Sequence, residues 1–116
     1  MSRAQVAAGG SAEKGRANPL RGEASLAIEG HEHVLRPTFA ALVAAEEELG
    51  SLFALVERAG DGRLQLAELA ALFWHCLVDR GALTREQVGE AVAAQGLAAS
   101  AGPLRALLRQ ILQGRA

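Results

Sequence analysis

The sequence predicts an α+β fold that is mainly α, with an N-terminal β-hairpin packed on a bundle of four to five short helices. Two observations give this class. Residues 22–36 alternate apolar and polar side chains with the period of a β-strand, whereas most of the chain after them places apolar residues at helical spacing. A chain of 116 residues fits one domain with a modest core.

Residues 1–16 precede any periodic pattern. They are rich in Ala, Gly, Ser and charged residues, with Gly9-Gly10-Ser11 in the middle. A segment of this composition buries too little apolar surface to offset the entropy lost on ordering. We therefore predict a disordered leader, residues 1–16, ahead of a single domain, residues 17–116.

The hairpin is predicted from the alternation in its first strand and from the turn signal Glu29-Gly30. Two registers are open. A two-residue loop at Glu29-Gly30 sets Leu26 opposite His33, whereas a three-residue loop sets Leu26 opposite Val34. We prefer the second register because it pairs two apolar side chains. The apolar face of the hairpin must then lie on the helices, since a lone hairpin is marginal in water.

Three helices are predicted after the hairpin, over residues 38–49, 51–59 and 66–79. Pro37 suits the first turn of the first helix, and Gly50 suits its end. Apolar residues follow at roughly helical spacing in that helix: Phe39, Leu42, Val43 and Leu49. The third helix has only Glu68 and His75 as polar residues between positions 67 and 78, so we predict that it is buried at the centre.

The fourth helix is predicted from a capping box. Thr84 can cap the free amides, Gln87 can reach back, and Leu83 can pack onto Val88. Gly96 suits the C-terminal end of this helix, where a left-handed backbone is common.

The last helix is predicted to follow Gly102-Pro103. Its apolar residues form one stripe: Leu104, Leu107, Leu108, Ile111 and Leu112. We take four residues as candidates for contact with another protein: Trp74, Leu104, Leu108 and Ile111. The alternative is that they fill the core, and for the leucine stripe this alternative is favoured.

Charge and composition exclude several classes of partner. Twelve basic against thirteen acidic residues give a net charge of -1, so no overall field attracts nucleic acid or an anionic membrane. No segment approaches the roughly 20 apolar residues that span a bilayer, and the N-terminus lacks the apolar run of a signal peptide. The single Cys76 cannot form an internal disulfide and indicates a reducing compartment. We predict a cytoplasmic protein.

No catalytic or cofactor-binding motif is present. Ser25, Ser51 and Ser100 lack a nucleophile elbow, and Cys76 lies in an apolar run. The only lysine, Lys14, lies in the predicted leader, where no pocket can lower its pKa. We therefore predict that the protein is not an enzyme and holds no cofactor.

Two weak patterns bear on metal binding. Four residues fall at positions of an EF-hand loop: Glu57, Asp61, Gly62 and Glu68. The third position is Ala59, which has no side-chain oxygen, and calcium needs about 6–8 oxygen ligands. His31 and His33 lie two apart on an extended segment, but no further ligand is near in the sequence. We predict no metal site, and interpret the first pattern as a helix-turn-helix junction.

Three stretches carry a resemblance to a known family: residues 17–23 (ANPLRGE), residues 35–50 (LRPTFAALVAAEEELG), and residues 52–77, which run from LFALV through GRL to FWHCL. In them the chain resembles the gene transfer agent and phage tail tube or tail-assembly-chaperone family. The resemblance extends from residue 17 to the last helix.

The resemblance implies a role in building the tail of a phage-like particle, with other tail proteins as partners. A tail tube subunit is expected to be rich in β-structure. A tail assembly chaperone is expected to hold the tape-measure protein, a long helical chain. One hairpin against four or five helices favours the chaperone, and a homo-oligomer is compatible with both roles. From a different class, the alternative is a small helical regulatory module with a degenerate EF-hand-like loop.

Overall fold

The computed structural model of the chain describes residues 23–114, and the predicted leader lies outside them. Within this range an antiparallel hairpin precedes five helices, which confirms the α+β, mainly α class. The two strands are β1 (Ala24–Ile28) and β2 (His31–Leu35). The helices are α1 (Phe39–Leu49), α2 (Leu52–Gly60), α3 (Leu66–Cys76), α4 (Arg85–Gln95) and α5 (Leu97–Gln113).

The hairpin uses the shorter loop, so the preferred register is wrong. Leu26 pairs with His33 around the two-residue loop Glu29-Gly30. Both loop residues have a positive φ, 51° for Glu29 and 83° for Gly30. A type I′ turn requires this backbone, and its twist matches that of the flanking strands. Turn geometry therefore outweighs the gain from pairing Leu26 with Val34.

The first strand supplies the apolar face of the hairpin, as its alternation predicts. Ala24, Leu26 and Ile28 are buried, and helices α4 and α5 both contact β1. The side-chain amide of Gln95, at the end of α4, donates a hydrogen bond to the Ala27 carbonyl. The hairpin is thus fixed on the helices rather than standing alone.

A partly buried ion pair joins the two ends of the hairpin. Glu23, just before β1, is 4% exposed, and its Oε2 lies 2.5 Å from Nε of Arg36, just after β2. A buried carboxylate without a partner is costly, so this pairing lets the strand begin inside the fold.

The third helix ends three residues before its predicted end at Asp79. Leu77 leaves the helix in an extended conformation and forms an isolated bridge with Leu35 of β2. The Val78 amide donates to the Val34 carbonyl at 3.0 Å. Pairing with the strand satisfies backbone groups that a further helical turn would have used, so tertiary contact stops the helix.

Helices α1 and α2 begin at side-chain caps. Thr38 Oγ1 accepts from the Ala41 amide at 3.1 Å, and Ser51 Oγ accepts from the Ala54 amide at 3.3 Å. Each cap satisfies one of the amides that the first turn leaves free. The observed bounds agree with the predicted ones to within one residue.

The third helix is the central element, as predicted. It contacts both α1 and α4. Five of its eleven residues are buried: Leu69, Ala71, Leu72, Phe73 and Cys76. Its first turn is closed by Glu68, whose Oε1 accepts from the Gln65 amide at 2.9 Å.

The predicted capping box opens α4. Thr84 Oγ1 accepts from the Gln87 amide at 3.1 Å, and Gln87 Oε1 accepts from the Thr84 amide at 2.8 Å. Leu83 packs against the core that contains the fully buried Val88. Gly96 ends the helix with a φ of 88°, as its position predicts.

The last helix begins at Leu97 rather than after Pro103, so its predicted start is wrong. Pro103 lies inside α5. An internal proline removes one helical hydrogen bond and is normally unfavourable by about 3 kcal/mol. Ser100, 1% exposed, lies in the turn ahead of Pro103, and α5 packs on α4 and β1. This packing offsets the proline and holds the extra turns in helical form.

Candidate functional site

The candidate contact residues of α5 are half-buried. Leu104 and Leu108 pack against the core, and Leu107 between them is fully buried. Ile111 is also half-buried, whereas Leu112 is exposed at the end of the helix. Much of the stripe therefore packs within its own domain, and only part of each predicted contact side chain is left for a partner.

Trp74, the remaining candidate, lies on α3 and is also half-buried against the core. The Arg80 guanidinium lies over its ring, with Cζ 4.5 Å from the ring centroid. Arg80 Nε also donates to the Trp74 carbonyl at 3.2 Å. A cation over an indole face is a favourable contact, so a partner at that face would have to displace Arg80.

Two phenylalanines that are not among the four predicted contact residues are the most exposed aromatic side chains among residues 23–114. Phe39 is 85% exposed and Phe53 is 81% exposed. Phe53 lies two residues from the fully buried Leu55, and so roughly 200° around the helix from it. With Leu55 in the core, this angular separation places Phe53 on the opposite side of the helix.

The first helix turns an apolar patch toward solvent. Phe39 and Val43 are four residues apart and exposed, so they lie on one face. Both belong to the apolar residues at helical spacing in the sequence, but α1 packs through the fully buried Ala45 and through Ala41 and Leu49. We name Phe39, Val43 and Phe53 the exposed apolar residues.

A charged cluster joins three helices. Glu48 of α1 contacts Nη2 of Arg85 at 2.6 and 2.7 Å, and its Oε1 lies 2.8 Å from Nε2 of His75. The Arg85 guanidinium, and after it the His75 ring, lower the pKa of the Glu48 carboxyl. These contacts hold α1 against α3 and α4, so the cluster stabilises the packing of the three helices.

The EF-hand-like positions hold carboxylates that are engaged elsewhere. Asp61 accepts from Arg63 at 3.0 Å, and Glu68 pairs with Arg58 as well as closing the first turn of α3. Residues 23–114 contain no group of three or more His, Cys, Asp or Glu side chains placed to hold a metal ion.

The histidine pair lines a cleft beside the hairpin. In the observed register His31 and His33 share a face with Ile28 and Leu26. The cleft, of about 520 Å³, lies between β2 and the segment of residues 78–83, and we name it the β2 cleft. Its size is within the range of about 300–1,000 Å³ that is typical of ligand pockets.

Of the hydroxyl and thiol groups considered as nucleophiles, those of Cys76 and Ser100 are buried and that of Ser51 caps a helix. Burial raises the pKa of the Cys76 thiol to about 12, so the thiolate is scarce at neutral pH. Ser51 caps α2, and Ser100 is buried within α5. Lys14 lies outside the part of the chain that the structure describes.

Comparison with known proteins identifies a family model that matches most of the chain. The family model described as "Phage tail tube protein, GTA-gp10" matches residues 21–114. No curated protein and no solved structure shows a significant match. None of the helices between residues 23 and 114 has both the length and the apolar character that crossing a membrane requires.

Proposed function

The chain belongs to the phage tail tube protein, GTA-gp10, family, and from this membership we propose that it is a tail assembly chaperone that binds the tape-measure protein. Membership makes it a protein of phage-like tails, in a structural family. The chaperone role and the choice of partner are the proposal. We further propose that the protein has no enzymatic activity and takes no cofactor.

The observation that supports a chaperone over a tube subunit is the scarcity of strand. Of the described residues, 64% are helical and 12% are in β-structure. Each strand of the hairpin has five residues. A tube built from stacked rings of sheet needs more extended strand than this, whereas a small helical protein suits a helical client.

The exposed apolar residues offer a contact for such a client. A helix presents apolar side chains at three- and four-residue spacing, and it binds where a partner exposes apolar surface. Aromatic side chains are enriched at protein interfaces because each can bury about 150–250 Å². We propose that Phe39 and Phe53 contact an amphipathic helix of the tape-measure protein.

The test is co-purification of the protein with the tape-measure product of its own gene cluster. Phe39→Ala together with Phe53→Ala should abolish co-purification and leave the unfolding midpoint nearly unchanged, because both rings are exposed. Leu97→Ala, at an exposed leucine outside this set, is the matched control and should retain binding. Failure of the wild-type protein to bind would overturn the chaperone proposal.

The residues predicted from the sequence, Trp74, Leu104, Leu108 and Ile111, remain a proposed second contact. Leu108→Glu separates the two uses of that surface. Loss of co-purification with cooperative unfolding retained would assign Leu108 to the partner. Loss of the folded state would assign it to the core, in keeping with its packing against buried residues.

A tail tube subunit is the second candidate, and the description of the family favours it. The two roles differ in self-assembly. A tube subunit purified alone should form rings or tubes that are visible by negative-stain electron microscopy. A chaperone should remain a small species by light scattering until the tape-measure protein is added.

A further inference from the structure

The outer edge of β2 carries backbone groups that point away from the hairpin. In a hairpin closed by a two-residue loop, the pair flanking the loop is hydrogen-bonded and the next pair is not. Glu32 and Ala27 form that next pair, so the amide and the carbonyl of Glu32 face outward. Val34, two residues on, has the same orientation, and its carbonyl accepts from the Val78 amide at 3.0 Å.

The fold covers part of this edge and leaves the rest open. Residues 77 and 78 pair beside Leu35 and Val34, but the chain then turns away. The turn is fixed by the Gly81 amide, which donates to Asp79 Oδ1 at 3.1 Å. Within residues 23–114, no backbone group pairs with the outward side of Glu32. On β1, by contrast, Gln95 covers the corresponding carbonyl of Ala27.

The β2 cleft occupies the space that a continued strand would have filled. It is lined by His31, Glu32, His33 and Val34 on one side and by residues 78–83 on the other. Ile28, Val34, Val78 and Leu83 supply apolar lining. At about 3.3 Å per residue, the open part of the edge, His31 to His33, spans roughly 10 Å. It can pair with a segment of about three or four residues.

The charges around the cleft are mostly negative. Three carboxylates line it, those of Glu29, Glu32 and Asp79, against the one guanidinium of Arg80. Arg80 is held over the Trp74 ring and bonded to a backbone carbonyl. In the part of the chain that is described, the Glu32 side chain has no ion pair of its own. An incoming cation would therefore meet an uncompensated carboxylate at the centre of the open edge.

We propose that the β2 cleft binds a short extended segment of another protein, which pairs with the backbone of Glu32 and carries Lys or Arg toward the three carboxylates. Addition of a strand to an open sheet edge is a common mode of peptide recognition. Charge on an edge strand discourages indiscriminate pairing, and here it also selects for a basic segment. This site is separate from the exposed apolar residues, so the test of this proposal does not depend on the chaperone proposal.

The experiment is an NMR titration of the full 116-residue protein with the synthetic peptide acetyl-Val-Lys-Val-Lys-Val-amide. We expect shifts of the backbone amides of Glu32 and of residues 78–83 at millimolar peptide, and weaker binding as salt is raised. Glu32→Gln should weaken binding by about two- to fivefold, the range of an exposed ion pair. The acidic counterpart, with Glu in place of Lys, should not bind.

Two further measurements separate strand pairing from charge alone. Glu32→Pro removes the outward amide while leaving the hairpin ladder intact, and should weaken binding by a further two- to tenfold relative to Glu32→Gln. A peptide with N-methylated backbone amides, tested on the wild-type protein, should lose affinity by a similar factor even if the proline variant fails to fold. Unchanged affinity for the N-methylated peptide, or no shifts at Glu32 and residues 78–83, would overturn the proposal.

Discussion

Phe73 is the largest of the fully buried side chains among residues 23–114. It is fully buried in the core cluster, with Leu72 and Cys76 of the same helix. Phe73→Ala should lower the free energy of unfolding by about 3–5 kcal/mol, because it loses buried surface and leaves a cavity. Chemical denaturation of the wild-type protein and the variant measures this difference in the free energy of unfolding. The matched control is Phe53→Ala, which removes the same ring from an exposed site and should change stability by less than about 0.5 kcal/mol. A loss below about 1 kcal/mol for Phe73→Ala would contradict its place in the core.

Glu48 links stability to pH. Arg85, and after it His75, hold the folded pKa of this carboxyl below its ordinary value of 4.5. Its stabilising contribution is therefore fully present above pH 4.5 and is lost as the pH falls through the lower folded pKa. Unfolding of the wild-type protein and of Glu48→Gln should differ most near neutral pH and converge in acid. Glu47→Gln, at a neighbouring exposed residue, controls for removal of charge alone. A difference that is constant with pH would exclude the linkage.

At the scale of the element, α5 offers a test of where a helix begins. Because Pro103 lies inside α5, Pro103→Ala should restore a helical hydrogen bond and raise the free energy of unfolding by about 1 kcal/mol or more. In the Pro103→Ala background, where no proline ring crowds the residue before it, Gly102→Ala should add about 0.5–1 kcal/mol, since no side chain lies within 4 Å of the added methyl group. Thermal unfolding measures both. If the helix began after Pro103, neither change would stabilise the protein.

The segment between α3 and α4 runs along the edge of β2. Leu77 and Val78 leave α3 to pair with β2, and the turn that follows leads to the capping box of α4. The same segment forms one wall of the β2 cleft. Because α3 ends at Cys76, residues 78–83 lie opposite β2 and form the second wall of the cleft. A helix continued to Asp79 would not have placed this segment beside β2.

At the scale of the whole molecule, the domain prediction can be tested by truncation. The family match begins at residue 21, and the described fold begins at residue 23. Deletion of residues 1–16 should therefore leave the free energy of unfolding and the binding of the tape-measure protein unchanged. Urea denaturation and co-purification measure the two quantities. A loss of more than about 1 kcal/mol would place part of residues 1–16 within the folded domain.

The candidate surfaces were only partly accessible to sequence reasoning. The sequence predicts contact residues from their apolar character at Trp74, Leu104, Leu108 and Ile111, and the structure shows these four half-buried. Phe39 and Phe53 are apolar as well, yet they are exposed. Hydrophobicity alone does not tell a core face from a contact face, because that depends on which neighbour covers it.

Local sequence signals suffice for the features that a few adjacent residues encode. The capping box at Thr84, the helix end at Gly96 and the apolar central helix were all predicted, since caps and periodicity act within one or two turns. Three features do not follow from local signals: the hairpin register, the end of α3 at Cys76 and the start of α5 at Leu97. Each of these depends on the twist of a turn or on contact with residues distant in the chain, and such contacts outweigh local preference.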